Sequence, residues 1–403
     1  MPRADAHPTQ NRLLSASLAG RVDGSGSGKT ALSEISYYDV AVIGGGPAGT
    51  AAAITTCGAR LRTLLLERRT EDRFQVGEGL PPDARSLLVK LGILPRFEAD
   101  GHLPSYGTEA AWGSETLESN DFLSHPYGHG WHLDRTRFDA SLRARAQEVG
   151  SVIQAGTRPI AVERSHKGGW QLRVQGVDGP HIIRARWIVD ASGRKAWLAT
   201  RLGVQRKTED LLLGTVALFG VRPDAEDRDT LTLVEAVEYG WWYTARVPTG
   251  RRVVVFHTDS DNPVFRDAQT WEGFRQLLDR TEHIKTRLKS YHRPPLLLPR
   301  AALANSARIL QPGGDGWIAT GDAVAAYDPL SSQGILLALY GGLLAGQTIT
   351  QELVGETGAM ERYTDQIDTL YNDYLRQRAR YYRQERRWPD SLFWRRRSEE
   401  RLA

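Results

Sequence analysis

The chain has 403 residues, 40% hydrophobic and 25% charged, the composition of a globular protein with room for two or three domains and a large buried core. Cys57 is its single cysteine, which excludes an internal disulfide and a cysteine-built metal site. The net charge of +4 is a C-terminal feature: ten arginines from Arg376 onward stand against Glu385, Asp390, Glu399 and Glu400, a run that reads as a solvated helix face or as a patch for an acidic partner.

Residues 1–36 are polar, rich in Gly and Ser and without hydrophobic period, and read as a disordered leader or linker. Within them "DGSGSGKT" ends like a phosphate-binding P-loop. Asp23 stands where that motif needs Gly, and no buried strand precedes it, so a nucleotide triphosphatase is not expected. The N-terminus has no charged start followed by an apolar core, and no apolar run reaches the roughly 18 residues of a membrane span. The expectation is a cytoplasmic protein with neither membrane nor nucleic acid as partner.

From Tyr38 to Arg69 the sequence "YDVAVIGGGPAGTAAAITTCGARLRTLLLERR" sharpens into a pattern. "VAVI" is an all-apolar run of the kind found in a parallel strand buried on both faces. Gly44, Gly46 and Gly49 form G-x-G-x-x-G, "AGTAAAITTC" reads as a helix that Gly58 can stop, and "TLLLE" is a second strand ending at Glu67. In this context Gly44 makes the turn, Gly46 lets a pyrophosphate approach, and Gly49 lets helix and strand pack closely. The phosphate lies at the helix N-terminus, and Glu67 accepts from the ribose hydroxyls.

The fingerprint alone does not separate FAD from NAD. Two later stretches, "RWIVDASGRKAWLATRLG" and "GWIATGDAVAAYDPLSSQGILLALYGG", repeat the order of strand, tight turn and helix. A cofactor touched by segments so far apart in sequence is an extended one, which points to FAD. Asp322 is the candidate for the ribityl hydroxyls, although it reads also as a helix N-cap. Gly334 starts a helix whose N-terminus would face the pyrimidine edge of the flavin ring. Between these stretches "TLTLVEAVEYGWWYTARVP" and "RRVVVFHTDS" alternate with period 2 and are broken by "PTG", as in a hairpin of an antiparallel sheet. "MERYTDQIDTLYNDYLRQRARYYRQERRW" reads as one long helix.

The expected fold is α/β: a Rossmann-like FAD-binding domain of the glutathione reductase type, an antiparallel substrate sheet and a helical C-terminus. The FAD-binding part takes residues 37–75, 130–204 and 302–350, the substrate part 76–129 and 205–301, and the Arg-rich helical segment 351–403.

"VIGGGPAG", "DASGR" and "GDAVAAYDPLSSQG" together resemble the FAD-dependent monooxygenases and halogenases of the p-hydroxybenzoate hydroxylase fold, from about Tyr38 to the C-terminus. "VGEGLPPDARSLLVKLGI", "WHLDRTRFDASLRARA" and "RYYRQERRWPDSLFWRRR" look most like the flavoproteins that mature tryptophylquinone enzymes by hydroxylating a tryptophan held in a protein or peptide. The resemblance implies that Arg135 contacts FAD, that Asp190 to Gly193 lie along it, and that the loop 77–79 approaches the flavin face. The cofactor-binding set so expected is Gly44, Gly46, Pro47, Ala48, Gly49, Glu67, Arg68, Arg135, Asp190, Gly193, Gly321, Asp322, Gln333 and Gly334. Glu78 and Asp328 are the candidate catalytic carboxylates. Asp190 reads equally as a strand-end turn residue and Glu78 as a loop cap.

Flavin halogenases carry a lysine after a Ser-Tyr pair and a glutamate in a Pro-Leu-Glu-Ser loop. Here Gly107 follows Ser105 and Tyr106, and Ser331 stands in "DPLSSQG", so the ammonium and carboxylate that handle an electrophilic halogen are both missing. Trp241, Trp242 and Tyr243 are expected on a strand of the substrate sheet, with Trp241 and Tyr243 on one face and Trp242 on the other. They read as cavity walls or as ordinary core aromatics.

The chemistry implied is insertion of one oxygen atom into an electron-rich indole, with FAD supplying the reactive oxygen and the protein holding the ring and excluding water; a hydroxylase of a small free aromatic, an FAD-dependent reductase and a flavin-loaded assembly factor without turnover are the alternative readings. Electrons come from NAD(P)H or from a separate flavin reductase. The expected partner is a protein or peptide carrying tryptophan, with the arginine tail flanking its cleft. "HPYGHGWH" is read as a loop, and no metal is expected.

Overall fold

A computed structural model describes residues 36–399, apart from 72, 73, 123 and 167. The expected leader and its P-loop-like stretch, residues 1–35, lie outside the described residues. Ser36 already opens the first strand, Ser36–Ile43.

The apolar runs become the strands of the first sheet. Its order is Gly313–Gly314, Trp317–Ala319, Gly179–Asp190, Ser36–Ile43, Thr63–Glu67 and Val152–Ala155. The last five run parallel in that order. Val40, Ala41, Val42, Leu64, Leu65, Ile188 and Val189 are buried, as helices cover the sheet. The helix Pro47–Gly58 carries Pro at its first turn. Gly58 is its last residue, but the left-handed residue that turns the chain afterwards is Arg60, at φ 62°. The helix Gly334–Leu353 packs on it through bare backbone: a Cβ on Gly342 would lie 2.1 Å from the Ala48 carbonyl oxygen. Two helices thus bring their N-termini to the same end of the sheet.

The second sheet has the order Leu297–Leu303, Leu212–Gly220, Arg251–Asp259, Gly240–Arg246, Thr232–Val237, Gly107–Ala111 and Glu118–Asp121. It is antiparallel except where Thr232–Val237 runs parallel to Gly107–Ala111. Its edge strand Leu297–Leu303 crosses the boundary expected between residues 301 and 302. Trp242 and Phe256 face one side, against Phe274, Leu278 and Ile284 of the short helices beyond. Tyr243, Val255 and His257 face the other, toward the first sheet's glycine turns.

The expected long C-terminal helix is present but ends at Tyr382, six residues before Trp388. Ala359–Tyr382 is followed by a break and then by Leu392–Ser398. The arginine run is divided: Arg376, Arg380, Arg386 and Arg395 are exposed, as a solvated face would have them, while others are paired. Arg378 pairs with Asp210 at 3.0 Å, Arg397 with Asp259 at 2.6 Å and Arg396 with Asp261 at 2.7 Å. Arg378 and Arg397 are buried. Trp394 Nε1 donates to the Val237 carbonyl at 2.9 Å, and Trp241 Nε1 donates to Tyr382 Oη at 3.0 Å. The tail is built onto the second sheet, because a long cation that leaves water needs a fixed carboxylate to meet it.

Candidate active site

A cavity of about 1210 Å³ lies where the glycine turns meet the second sheet. That exceeds the 300–1,000 Å³ typical of a small-ligand pocket and leaves room for an extended cofactor with a guest beside it. The strand Ser36–Ile43 ends in the turn that opens it. Gly44 has φ 114°, and a Cβ there would lie 2.2 Å from the Ala191 carbonyl oxygen. A Cβ on Gly49 would lie 1.9 Å from the Gly44 carbonyl oxygen. Around Gly46, by contrast, a Cβ would meet nothing within 4 Å, and Gly46 lines the cavity. The first and third glycines therefore serve packing, and the middle one leaves a cradle at a helix N-terminus suited to an anion.

The other expected cofactor residues divide. Gly44, Pro47, Ala48, Glu67, Arg68, Arg135, Gly193, Asp322 and Gly334 line the cavity. Glu67 accepts from the amides of Gly45 and Arg69, both at 2.9 Å, which ties the second strand to the glycine turn. Arg135 holds the loop before Glu78 by donating to the carbonyls of Val76 and Gly77, and pairs with Asp139 at 3.1 Å. Asp322 pairs with Arg194 at 3.5 Å, and Arg194 also donates to the Tyr327 carbonyl.

Three of the other expected positions lie outside the cavity lining. Asp190 is fully buried and does not line the cavity; its carboxylate accepts from the amides of Ser192, Leu198 and Ala199, so it shapes the turn. Gly321 is a packing position, where a Cβ would come 2.6 Å from that of Ala48. Gln333 caps the helix Gly334–Leu353 outside the lining. Sequence reasoning missed Arg143, Arg194, Lys195, Thr320 and His257, all of which line the cavity. Arg194 and Lys195 follow the recognised turn at Gly193, and Arg143 lies on the helix Arg135–Glu148, but nothing in the linear pattern marked Thr320 or His257.

Of the aromatic triplet, Tyr243 lines the cavity, while Trp241 and Trp242 are buried behind it. The expected alternation is present. Trp242 is in the core on the helix side, and Trp241, although on the cavity face, is covered by His257.

The two carboxylates differ. Glu78 is 2% exposed; Tyr243 Oη donates to its Oε1, and the Gly77 amide to its Oε2 at 3.1 Å. Burial pushes its carboxyl above the ordinary range, against the opposing Tyr243 bond. Burial and the neighbouring Glu78 hold the Tyr243 hydroxyl well above its usual value. Asp328 also lines the cavity, but its oxygens accept from the Leu330 amide at 2.9 Å and from Tyr382 Oη at 2.7 Å. It works as a cap and as a tie to the C-terminal helix.

The residues fit FAD. Helix N-termini, an unobstructed Gly46, the Glu67 carboxylate and Thr320 converge on one cavity. Among the described residues no group of three or more His, Cys, Asp or Glu could hold a metal ion, and no helix is long and apolar enough to cross a membrane.

This combination defines an FAD-dependent oxidoreductase-type enzyme. The chain belongs to the FAD binding domain family, which matches residues 37–366. It is 31% identical over 370 residues to LodB of Marinomonas mediterranea, ascribed to the FAD-dependent oxidoreductases, covering 89% of this chain and 96% of that one. It is 28% identical over 338 residues to the 1H-pyrrole-2-carbonyl peptidyl-carrier-protein brominase of Pseudoalteromonas luteoviolacea, covering 80% of each. The peptidyl tryptophan dihydroxylase QhpG shares the fold at a TM-score of 0.69 and 24% identity, over 90% of this chain and 79% of that one. Two flavin-dependent halogenases superpose more closely, at 0.80 and 0.81 and 23% identity, so the relation to tryptophan hydroxylases is not the nearer one.

Proposed function

We propose that the protein is a monooxygenase that hydroxylates an indole ring, that of a tryptophan held in a protein or peptide. The reading is carried by the cavity's second wall, where Tyr243, Val255 and His257 of the substrate sheet meet Glu78 opposite the glycine turns. When bound, FAD supplies the electrophilic oxygen atom. The apolar sheet face holds the ring and excludes water. Replacement of a ring hydrogen by hydroxyl releases a proton, and Glu78 is the base that receives it, since burial raises its affinity for a proton. Relatives and neighbours that act on carrier-bound pyrrole or on peptidyl tryptophan support a substrate presented by a larger molecule.

Halogenation is the second reading, favoured by the nearness of the halogenases. Two positions weigh against it. A side chain on Gly107 would start 2.5 Å from the Asn120 carbonyl oxygen, so that strand has no room for a lysine. Ser331 lies outside the cavity lining and donates to the Asp328 carbonyl.

The experiment is reduction of the FAD-loaded protein without oxygen, followed by oxygen, a tryptophan-bearing peptide and bromide. A product heavier by about 16 Da, one oxygen atom, regardless of halide, is the expected result. A mass gain that appears only with bromide overturns the reading in favour of halogenation. A flavin that reoxidises with no change in any peptide or free aromatic overturns both.

A further inference from the structure

His257 stands apart among the cavity residues. It is 3% exposed and lines the cavity, and its Nδ1 is buried with no hydrogen-bond partner. The opposite edge of the ring is uncovered by design of the neighbouring strand. Gly214, paired with His257 across the ladder, also lines the cavity, and a Cβ there would come within 3.4 Å of both Cδ2 and Nε2. Any larger residue at 214 would lie over that edge.

The ring is held before a guest arrives. Trp241 stacks on it at 3.8 Å between centroids, and Trp241 is itself anchored through Nε1 to Tyr382 Oη. Burial pushes the imidazole pKa down to about 3, so the ring is neutral at physiological pH. A neutral imidazole offers one N–H and one bare nitrogen. It is a poor base at that pKa but a good fixed acceptor.

We propose that His257 reads the guest's ring N–H: with the proton on Nδ1, the bare Nε2 on the Gly214 side accepts a hydrogen bond from the N–H of an indole or pyrrole seated against the sheet. The assignment rests on the reading of this cavity as the aromatic-ring site. It favours a ring that carries a donor N–H over a ring of the same shape without one. Gly214 keeps that contact open, and Trp241 positions it.

The test uses the oxidised, FAD-loaded protein and measures binding by calorimetry, with indole against benzofuran, which has the same shape but an oxygen in place of N–H. Wild type should bind indole about tenfold more tightly, the worth of one hydrogen bond in an apolar site. His257→Phe keeps a flat ring on Trp241 and should bring the two affinities within about twofold. Gly214→Ala, a smaller change, should narrow the same gap by covering the ring edge. A retained flavin spectrum in both variants checks the fold. A gap that persists in His257→Phe overturns the assignment. Equal binding of the two rings by wild type also overturns it, and leaves the aromatic-guest reading standing. Binding of neither ring overturns both.

Discussion

Trp241 lies face to face with His257, their ring centroids 3.8 Å apart and their planes 18° from parallel. The stack puts the imidazole at the cavity and the indole behind it. It also links the cavity wall to the C-terminal helix, because Trp241 Nε1 donates to Tyr382 Oη at 3.0 Å and Tyr382 donates to Asp328 at 2.7 Å.

Trp241→Phe should therefore cost stability before it costs cofactor. The variant loses one buried hydrogen bond and part of a fully buried ring, about 1–3 kcal/mol together. Denaturant unfolding should show a lower midpoint with an unchanged slope, while FAD content at saturation stays at the wild-type level. Loss of FAD with unchanged stability would mean that the indole touches the cofactor directly.

The glycines of the first turn separate the same way. Gly46→Ala adds a methyl where nothing lies within 4 Å, so the apoprotein should unfold at the wild-type temperature. FAD affinity should fall at least about tenfold, the equivalent of 1.4 kcal/mol, by crowding the anion cradle. Gly49→Ala sets a carbon 1.9 Å from the Gly44 carbonyl oxygen and should lower apoprotein stability by several kcal/mol on the order of an overpacked core. Thermal unfolding with and without FAD reads both variants.

What the sequence made legible was local and backbone-borne. The apolar core of the first strand at 40–43, the glycine turn, the acid at Glu67 and the helix at Gly334 each follow from periodicity and turn chemistry within a few residues. Tyr243, as a face assignment, followed from period 2. What stayed hidden depended on long-range partners. His257 is one polar residue in an apolar strand, and only the Gly214 pairing and the Trp241 stack make it notable. Asp190 carried a plausible cofactor position, but its hydrogen bonds go to Leu198 and Ala199. The burial of Arg378 and Arg397 was hidden because their carboxylates, Asp210 and Asp259, lie more than a hundred residues away.

Glu78 gives the chain a pH dependence with a definite sign. Burial raises its carboxyl above the ordinary 4.5, so the folded chain holds a proton that the unfolded chain releases. The stability tied to this group is complete below about pH 4.5 and is lost as pH rises through the folded value. Glu78→Gln cannot ionise, and its amide oxygen still accepts from Tyr243. Its stability should match wild type near pH 4 and exceed it as pH rises, the gap levelling off once pH passes the folded value of Glu78, at about 1.4 kcal/mol for each unit of pKa shift. A gap that stays constant with pH would mean that Glu78 has an undisplaced pKa.

The pair of Arg397 and Asp259 decides what the C-terminal segment is for. Both residues are buried, at 2.6 Å, and Arg397 also lies 3.7 Å from the Phe393 ring centroid. Removing one partner of a buried pair strands the other in a poorly solvated site, at about 3–5 kcal/mol. Arg396, at 3.1 Å from Asp259, offsets part of that cost, so Arg397→Met should lose about 3 kcal/mol. Adding Asp259→Leu should recover a share of the loss, since no carboxylate is then left uncompensated. The loss should persist in high salt, because a buried pair is little screened. Deletion of the residues after Trp388 removes this pair together with the Trp394 bond to Val237, and through Tyr382 and Trp241 it loosens the cavity wall. Stability and FAD retention should then fall together. A truncated protein that keeps its FAD and its unfolding temperature, and loses only affinity for an acidic substrate protein, would instead make the tail a docking arm.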